Sequence, residues 1–100
     1  MRKIELTNAF KRDFKREAKG QHRRVLDTEL KQVISDLANG KPLAVKYRDH
    51  TLTGGWKEYR DCHVRPDLVL IYRLTGGDDM GDFPACLVLA RLGSHSELDL

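Results

Sequence analysis

Three of the four histidines in the chain, His50, His63 and His95, fall outside the segments that read as helices. Imidazole takes or gives a proton near neutral pH. Two of them held at a reacting bond can serve as general base and general acid. The run around the middle one is Tyr59-Arg60-Asp61-Cys62-His63-Val64-Arg65-Pro66-Asp67. Strand alternation puts Asp61, His63 and Arg65 on one face and turns Cys62 and Val64 into the core. A row of acid, imidazole and guanidinium has little packing value and suits proton transfer to an anion. Asp67, just past Pro66, sits at a strand edge where it could orient a histidine or act as a base itself. A zinc site from His50, His63, His95 and a carboxylate is the competing reading, but it lacks a short ligand spacing such as HxxxH. Cys62 points inward, where thiols are inert, and is not expected to be a nucleophile. Gly76-Gly77 is followed by neither a helix nor a lysine, so no phosphate-cradling loop is present.

The elements that must hold these groups are legible in the periodicity. Residues 2–6 read as a short edge strand. Thr7 or Asn8 supplies an N-cap, and Phe10 and Phe14 at i, i+4 give a first amphipathic helix of core-facing aromatics that ends near Gly20. Leu26, Leu30, Val33, Ile34 and Leu37 mark a second helix, stopped by Asn39-Gly40 and Pro42. Residues 41–55 have no period and read as a long loop of the functional kind. Three strands follow, over 56–64, 68–74 and 85–92, with a turn at Pro66-Asp67 and an acidic, Gly-rich loop at Thr75–Asp82. Trp56 and Tyr59 are expected in the core. Helices followed by strands imply one α+β domain over residues 1–100, two N-terminal helices packed on a small twisted antiparallel sheet.

Composition narrows the function further. The chain has 100 residues, 33% of them charged, and its longest apolar runs are far short of the ~20 residues of a membrane span. The first ten residues lack the apolar stretch of a signal peptide. Two cysteines without a CxxC spacing make neither a disulfide scaffold nor a zinc ribbon. A cytoplasmic chain with reduced thiols is expected. Residues 1–50 hold thirteen Lys/Arg against seven Asp/Glu, whereas residues 51–100 hold five against eight. The basic half suits phosphates or an acidic protein partner.

The run from Tyr47 to Leu74, with Asp49-His50-x-Leu52, Gly55-Trp56, Arg60-Asp61-x-His63, Pro66-Asp67 and Leu70-Ile71-Tyr72, resembles the YafQ-like branch of the RelE/ParE toxin superfamily. Arg91-Leu92-Gly93-Ser94-His95-Ser96-Glu97-Leu98 matches that branch's closing motif. The resemblance implies a bacterial type II toxin acting as a ribosome-dependent mRNA endoribonuclease, with no metal and no cofactor. It implies His50, His63, Asp67 and His95 as the catalytic set, Asp61 in support, and His95 as the proton donor. RNA carries its own nucleophile in the 2′-hydroxyl. Lys57, Arg60, Arg65 or Arg91 could bind the RNA and offset charge on its phosphate. The implied partners are an acidic, DinJ-like antitoxin, the ribosomal A site and mRNA. The free toxin is expected as a monomer and the complex as a heterotetramer. The alternative within the superfamily is a non-catalytic ParE-like binder of a protein such as DNA gyrase, for which a histidine trio has no use. Leu68 and Asp99 stand where the branch often carries aromatics.

Overall fold

Thr7 divides the first strand from the first helix in the computed structural model, which describes residues 2–76 and 86–100. Strand β1 (Lys3–Leu6) leads into it, and helix α1 (Asn8–Glu17) follows because the Thr7 hydroxyl accepts from the Phe10 N–H at 3.0 Å. The expected second helix is two, α2 (Arg23–Asp27) and α3 (Glu29–Ala38), broken at Thr28. The Thr28 hydroxyl donates back to the Arg24 carbonyl at 2.9 Å, a local bond of the kind that competes with helix continuation. The apolar stripe survives the break, since Leu26, Leu30, Val33 and Leu37 are all buried.

Five strands form one sheet in the order β1-β5-β4-β3-β2, where β2 is His50–Thr51, β3 Arg60–Arg65, β4 Leu68–Thr75 and β5 Cys86–Gly93. Neighbours β2 to β5 are antiparallel, but β1 runs parallel to β5. The sheet is therefore mixed rather than antiparallel throughout. The helices lie between β1 and β5 in sequence, so no hairpin dictates their relative direction. β5 also outruns β1, and α1 covers the edge left over. Thr7 donates to the Ala90 carbonyl (2.8 Å), the Leu92 N–H donates to Asp13 (3.0 Å), and Arg16 donates to the Leu92 carbonyl (2.8 Å). An edge left bare would invite pairing with another chain.

The helices cover one face. Phe10, Leu26, Leu30, Val33 and Leu37 pack there on Cys62, Val64, Leu68, Leu70, Tyr72, Leu87, Leu89 and Leu92. Phe14, expected in this core, is 36% exposed and only flanks Phe10. A second, smaller cluster of Val69, Ile71 and Ala90 takes Leu52, Trp56, Tyr59 and Leu98. Alternation along β4 puts these strand residues on the opposite face.

The segment expected as structureless carries a 3₁₀ turn at Val45–Tyr47, then β2. The strand expected from Trp56 begins only at Arg60; Gly54–Trp56 is another 3₁₀ turn, whose Trp56 ring meets Tyr59 edge-on at 5.1 Å. A short helix, α4 (His95–Leu98), closes the chain. The Ser94 hydroxyl accepts from the Glu97 N–H, and the Glu97 carboxylate accepts from the Ser94 N–H, a reciprocal cap that starts the helix on the spot. Most of the acidic loop and the expected strand start at Ala85 lie outside the described residues.

Candidate active site

Residues directly opposed across an antiparallel ladder point the same way. Asp61 is opposite Ile71 and His63 is opposite Val69, so both rise from the face away from the helices. The register then slips between His63 and Arg65, and Arg65 stands opposite Leu68, a residue of the helix-side core. This bulge takes Arg65 out of the row. Its guanidinium pairs with Glu29 at the start of α3, at 2.8 Å. The expected row of three thus holds for Asp61 and His63 and fails for Arg65.

Three elements bring the imidazoles together. β3 carries His63. β2, paired with β3, sets His50 opposite Asp61. α4 carries His95 as its first residue, and its Leu98 is sunk in the smaller cluster. The His63 and His95 Nε2 atoms lie 3.2 Å apart, so one carries a proton that the other accepts. The rings of His50 and His63 stack at 6.0 Å. His50 Nδ1 is 2.7 Å from the Arg48 carbonyl; a carbonyl only accepts, so Nδ1 is the protonated nitrogen. Its Nε2 lies 3.0 Å from Asp61 Oδ1, out of line for a hydrogen bond, and the contact is an ion pair only when the ring carries both protons.

Burial sets the electrostatics. Asp61 is 2% exposed, and loss of solvent raises its carboxyl above the ordinary value, against the opposing pull of His50, His63 and His95. Burial lowers the proton affinity of His63, with Asp61 opposing and His95, His50 and Arg48 adding to the fall. His63 is therefore held toward its neutral form. His95 is exposed at the rim. The Cys62 thiol is buried and pushed far up by desolvation, in keeping with an inert thiol.

The other nominated residues stand apart from this cluster. Asp67 is in the β3–β4 turn, where its carboxylate accepts from Gln21 Nε2 at 3.2 Å and lies 3.2 Å from His22 Nε2, out of line for a hydrogen bond, rather than meeting any of the three imidazoles. Arg60 pairs with Asp49, which also accepts from the Tyr72 hydroxyl. Arg91 pairs with Asp13 at 2.7 Å. Lys57 is exposed beside Trp56.

One carboxylate oxygen of Asp61 and one imidazole nitrogen from each of His63 and His95 lie within 4.8 Å of one another. This is a donor set that zinc and copper accept. Sheet pairing assembles it, which is why no short spacing announced it. Sequence reasoning also passed over four residues. Ser94 and Glu97 build the helix under His95, and their Ser-x-x-Glu spacing was the available signal. Lys46 and Arg48 border a cleft of about 430 Å³ beside His63 and His95, and nothing but their loop position marked them.

Residues 2–100 match the sequence profile of the family described as bacterial toxin of type II toxin-antitoxin system, YafQ. The chain is 38% identical over 98 residues to the mRNA interferase toxin YafQ of Escherichia coli K12, covering 97% of this chain and 95% of that one. A crystal structure of a metal-bound toxin from Helicobacter pylori superposes with a TM-score of 0.75 at 39% identity, over 98% of this chain and 99% of that one. The E. coli DinJ–YafQ toxin–antitoxin complex gives 0.74 at 40% identity, over 97% and 96%. With the family profile matched from residue 2 to the last residue and the expected α+β fold in place, the chain belongs to the YafQ family of type II toxin–antitoxin toxins.

Proposed function

We propose that this toxin is an endoribonuclease that cuts mRNA in the ribosomal A site by general acid–base catalysis, acting in the cytoplasm as a monomer. The observation that carries the reading is the His63–His95 contact beside a buried carboxylate. The pair shares a proton. Burial disfavours charge on His63, which suits it to the base's role and leaves the acid's role to His95. The scissile phosphate enters between the two rings and replaces their direct contact. Neutral His63 takes the proton of the 2′-hydroxyl, whose oxygen attacks phosphorus. His95 gives its proton to the departing 5′-oxygen. Asp61 stays between the imidazoles as a fixed counter-charge, and His50, oriented by the Arg48 carbonyl, buttresses Asp61. Each proton transfer is worth ~10²–10⁴ in rate. Asp67, beside His22 in the β3–β4 turn and away from the three imidazoles, carries no proton in this scheme.

The H. pylori relative described as metal-bound raises the question of an ion. Asp61, His63 and His95 would hold one here. A divalent ion would supply a Lewis acid while withholding both imidazoles, so on this mechanism it opposes proton transfer. The DinJ complex of the E. coli relative supports an antitoxin as partner, and the basic first half of this chain suits an acidic one; a heterotetramer is the assembly we infer. Colony survival after induction tests the reading. The wild type arrests growth; a folded His95→Ala variant does not. Full toxicity of folded His95→Ala removes the catalytic assignment.

A further inference from the structure

RNA offers one negative charge per nucleotide, and an enzyme that grips it needs cations free to face phosphate. Three of the four cations nominated from sequence are already committed: Arg60 to Asp49, Arg65 to Glu29 and Arg91 to Asp13. The cleft beside His63 and His95 has other candidates. Its charged lining is Glu29, Lys46, Arg48 and Arg65, a surplus of two positive charges once Glu29 and Arg65 have paired. Lys46 and Arg48 are both exposed, and among the described residues neither faces a carboxylate within ion-pair distance. Lys46 Nζ rests 5.1 Å over the Tyr47 ring, which directs it along the cleft wall.

Arg48 has a second distinction. Its backbone is left-handed, at φ 48° and ψ 49°, a conformation that a residue with a Cβ adopts against a steric penalty. In that conformation its carbonyl receives the His50 Nδ1–H. One strained residue thus fixes an imidazole of the cluster with its backbone and presents an unpaired guanidinium to the adjoining cleft. Strain of this kind persists where surrounding structure holds it for a purpose.

We propose that this cleft is a phosphate subsite, in which Arg48, with Lys46 beside it, grips the RNA backbone next to the bond broken between His63 and His95. The guanidinium fork suits two phosphate oxygens at once. The subsite rests on the RNA-cleavage reading above and names two side-chain cations that reading does not use.

The test is single-turnover cleavage of mRNA on programmed ribosomes, measured against toxin concentration at several salt concentrations. Arg48→Gly is the informative variant, because glycine holds the left-handed backbone without strain and keeps the carbonyl for His50. Arg48→Lys retains the charge without the fork. Arg48→Gly is expected to raise the half-saturating concentration at least tenfold and to reduce the salt slope by ~0.7, the value for one lost contact to a single strand. Arg48→Lys should recover the slope and part of the affinity, and Lys46→Ala should add a smaller loss. Arg48→Gly within twofold of wild type overturns the subsite. So does intact cleavage with weakened antitoxin binding, which makes the cleft a protein-binding surface instead. If the wild type cuts no mRNA on the ribosome, the cleavage reading itself falls and takes the subsite with it.

Discussion

Asp13 is the residue whose loss should be felt furthest from where it sits. Its carboxylate is 3% exposed, on a helix whose outer face is basic. It accepts from Arg91 Nε at 2.7 Å, from Arg16 at 2.9 Å and from the Leu92 backbone at 3.0 Å. Asp13→Ala leaves the buried Leu92 N–H without a partner, which costs about 1–3 kcal/mol. The Arg91 pair, partly buried, adds about 1–2 kcal/mol. Arg16 is 40% exposed and adds little after solvent screening. The total is about 2–5 kcal/mol, which overlaps the cost of breaking one side of a buried ion pair. For a domain of this size that lowers Tm by roughly 8–40 °C. The same change frees the end of β5 that delivers His95, so activity should fall with stability. Urea denaturation of wild type, Asp13→Ala and Asp13→Asn measures the stability cost, and pH supplies a control. Burial acts to raise the Asp13 carboxyl, but its bonds from Arg91, the Leu92 N–H and Arg16 outweigh that and hold it below its ordinary 3.8. A carboxyl lowered in the folded state stabilises fully above its unfolded value and loses that contribution as pH falls through the folded value. The gap between wild type and Asp13→Asn should therefore narrow from pH 7 toward pH 3. A cost under ~1 kcal/mol for Asp13→Ala, or a gap that ignores pH, refutes the reasoning.

Asp61 should behave in the opposite sense. Its folded-state carboxyl is raised by burial, so ionisation works against folding, and Asp61→Asn should leave Tm unchanged or higher at pH 8 while cutting mRNA cleavage at least tenfold; a clear drop in Tm there would contradict the electrostatic reading. Among the site variants, His63→Ala and His95→Ala should each lose ~10²-fold or more in cleavage rate, whereas Asp67→Asn, off the imidazole cluster, should lose less; rapid-quench kinetics rank them. Micromolar Cu²⁺ or Zn²⁺ should inhibit wild type reversibly and quench Trp56 fluorescence or shift imidazole NMR signals, the spectroscopic effects being absent from His63→Ala; equal quenching and equal NMR shifts in both proteins would place the ion elsewhere.

Much of the fold could be read from residue pattern, because each layer has a strong period. The Leu26-to-Leu37 stripe and the runs in β4 and β5 are buried as expected. What the pattern hid was decided by single residues. Thr28 splits a helix without disturbing its stripe, and the bulge after His63 reverses the face of Arg65. A strand period cannot foresee a bulge, so the Asp61–His63–Arg65 row failed at its last member. The histidines were visible as chemistry, but their convergence depends on β2 pairing and on α4, neither of which has enough length to show a period. Asp13 was concealed as one acid among the basic residues of α1, and its partners lie 78 and 79 positions away in sequence.

The ends of the cut RNA test the central claim most directly. Programmed ribosomes are treated with the toxin, and the fragments are analysed by mass spectrometry beside a message carrying a 2′-deoxy sugar at the cut position. Attack by the 2′-hydroxyl, with His63 as base and His95 as acid, predicts a 2′,3′-cyclic phosphate or its 3′-phosphate hydrolysis product, a free 5′-hydroxyl and an uncut 2′-deoxy message. A 5′-phosphate, or cleavage of the 2′-deoxy message, would contradict it, because water would then be the attacking group.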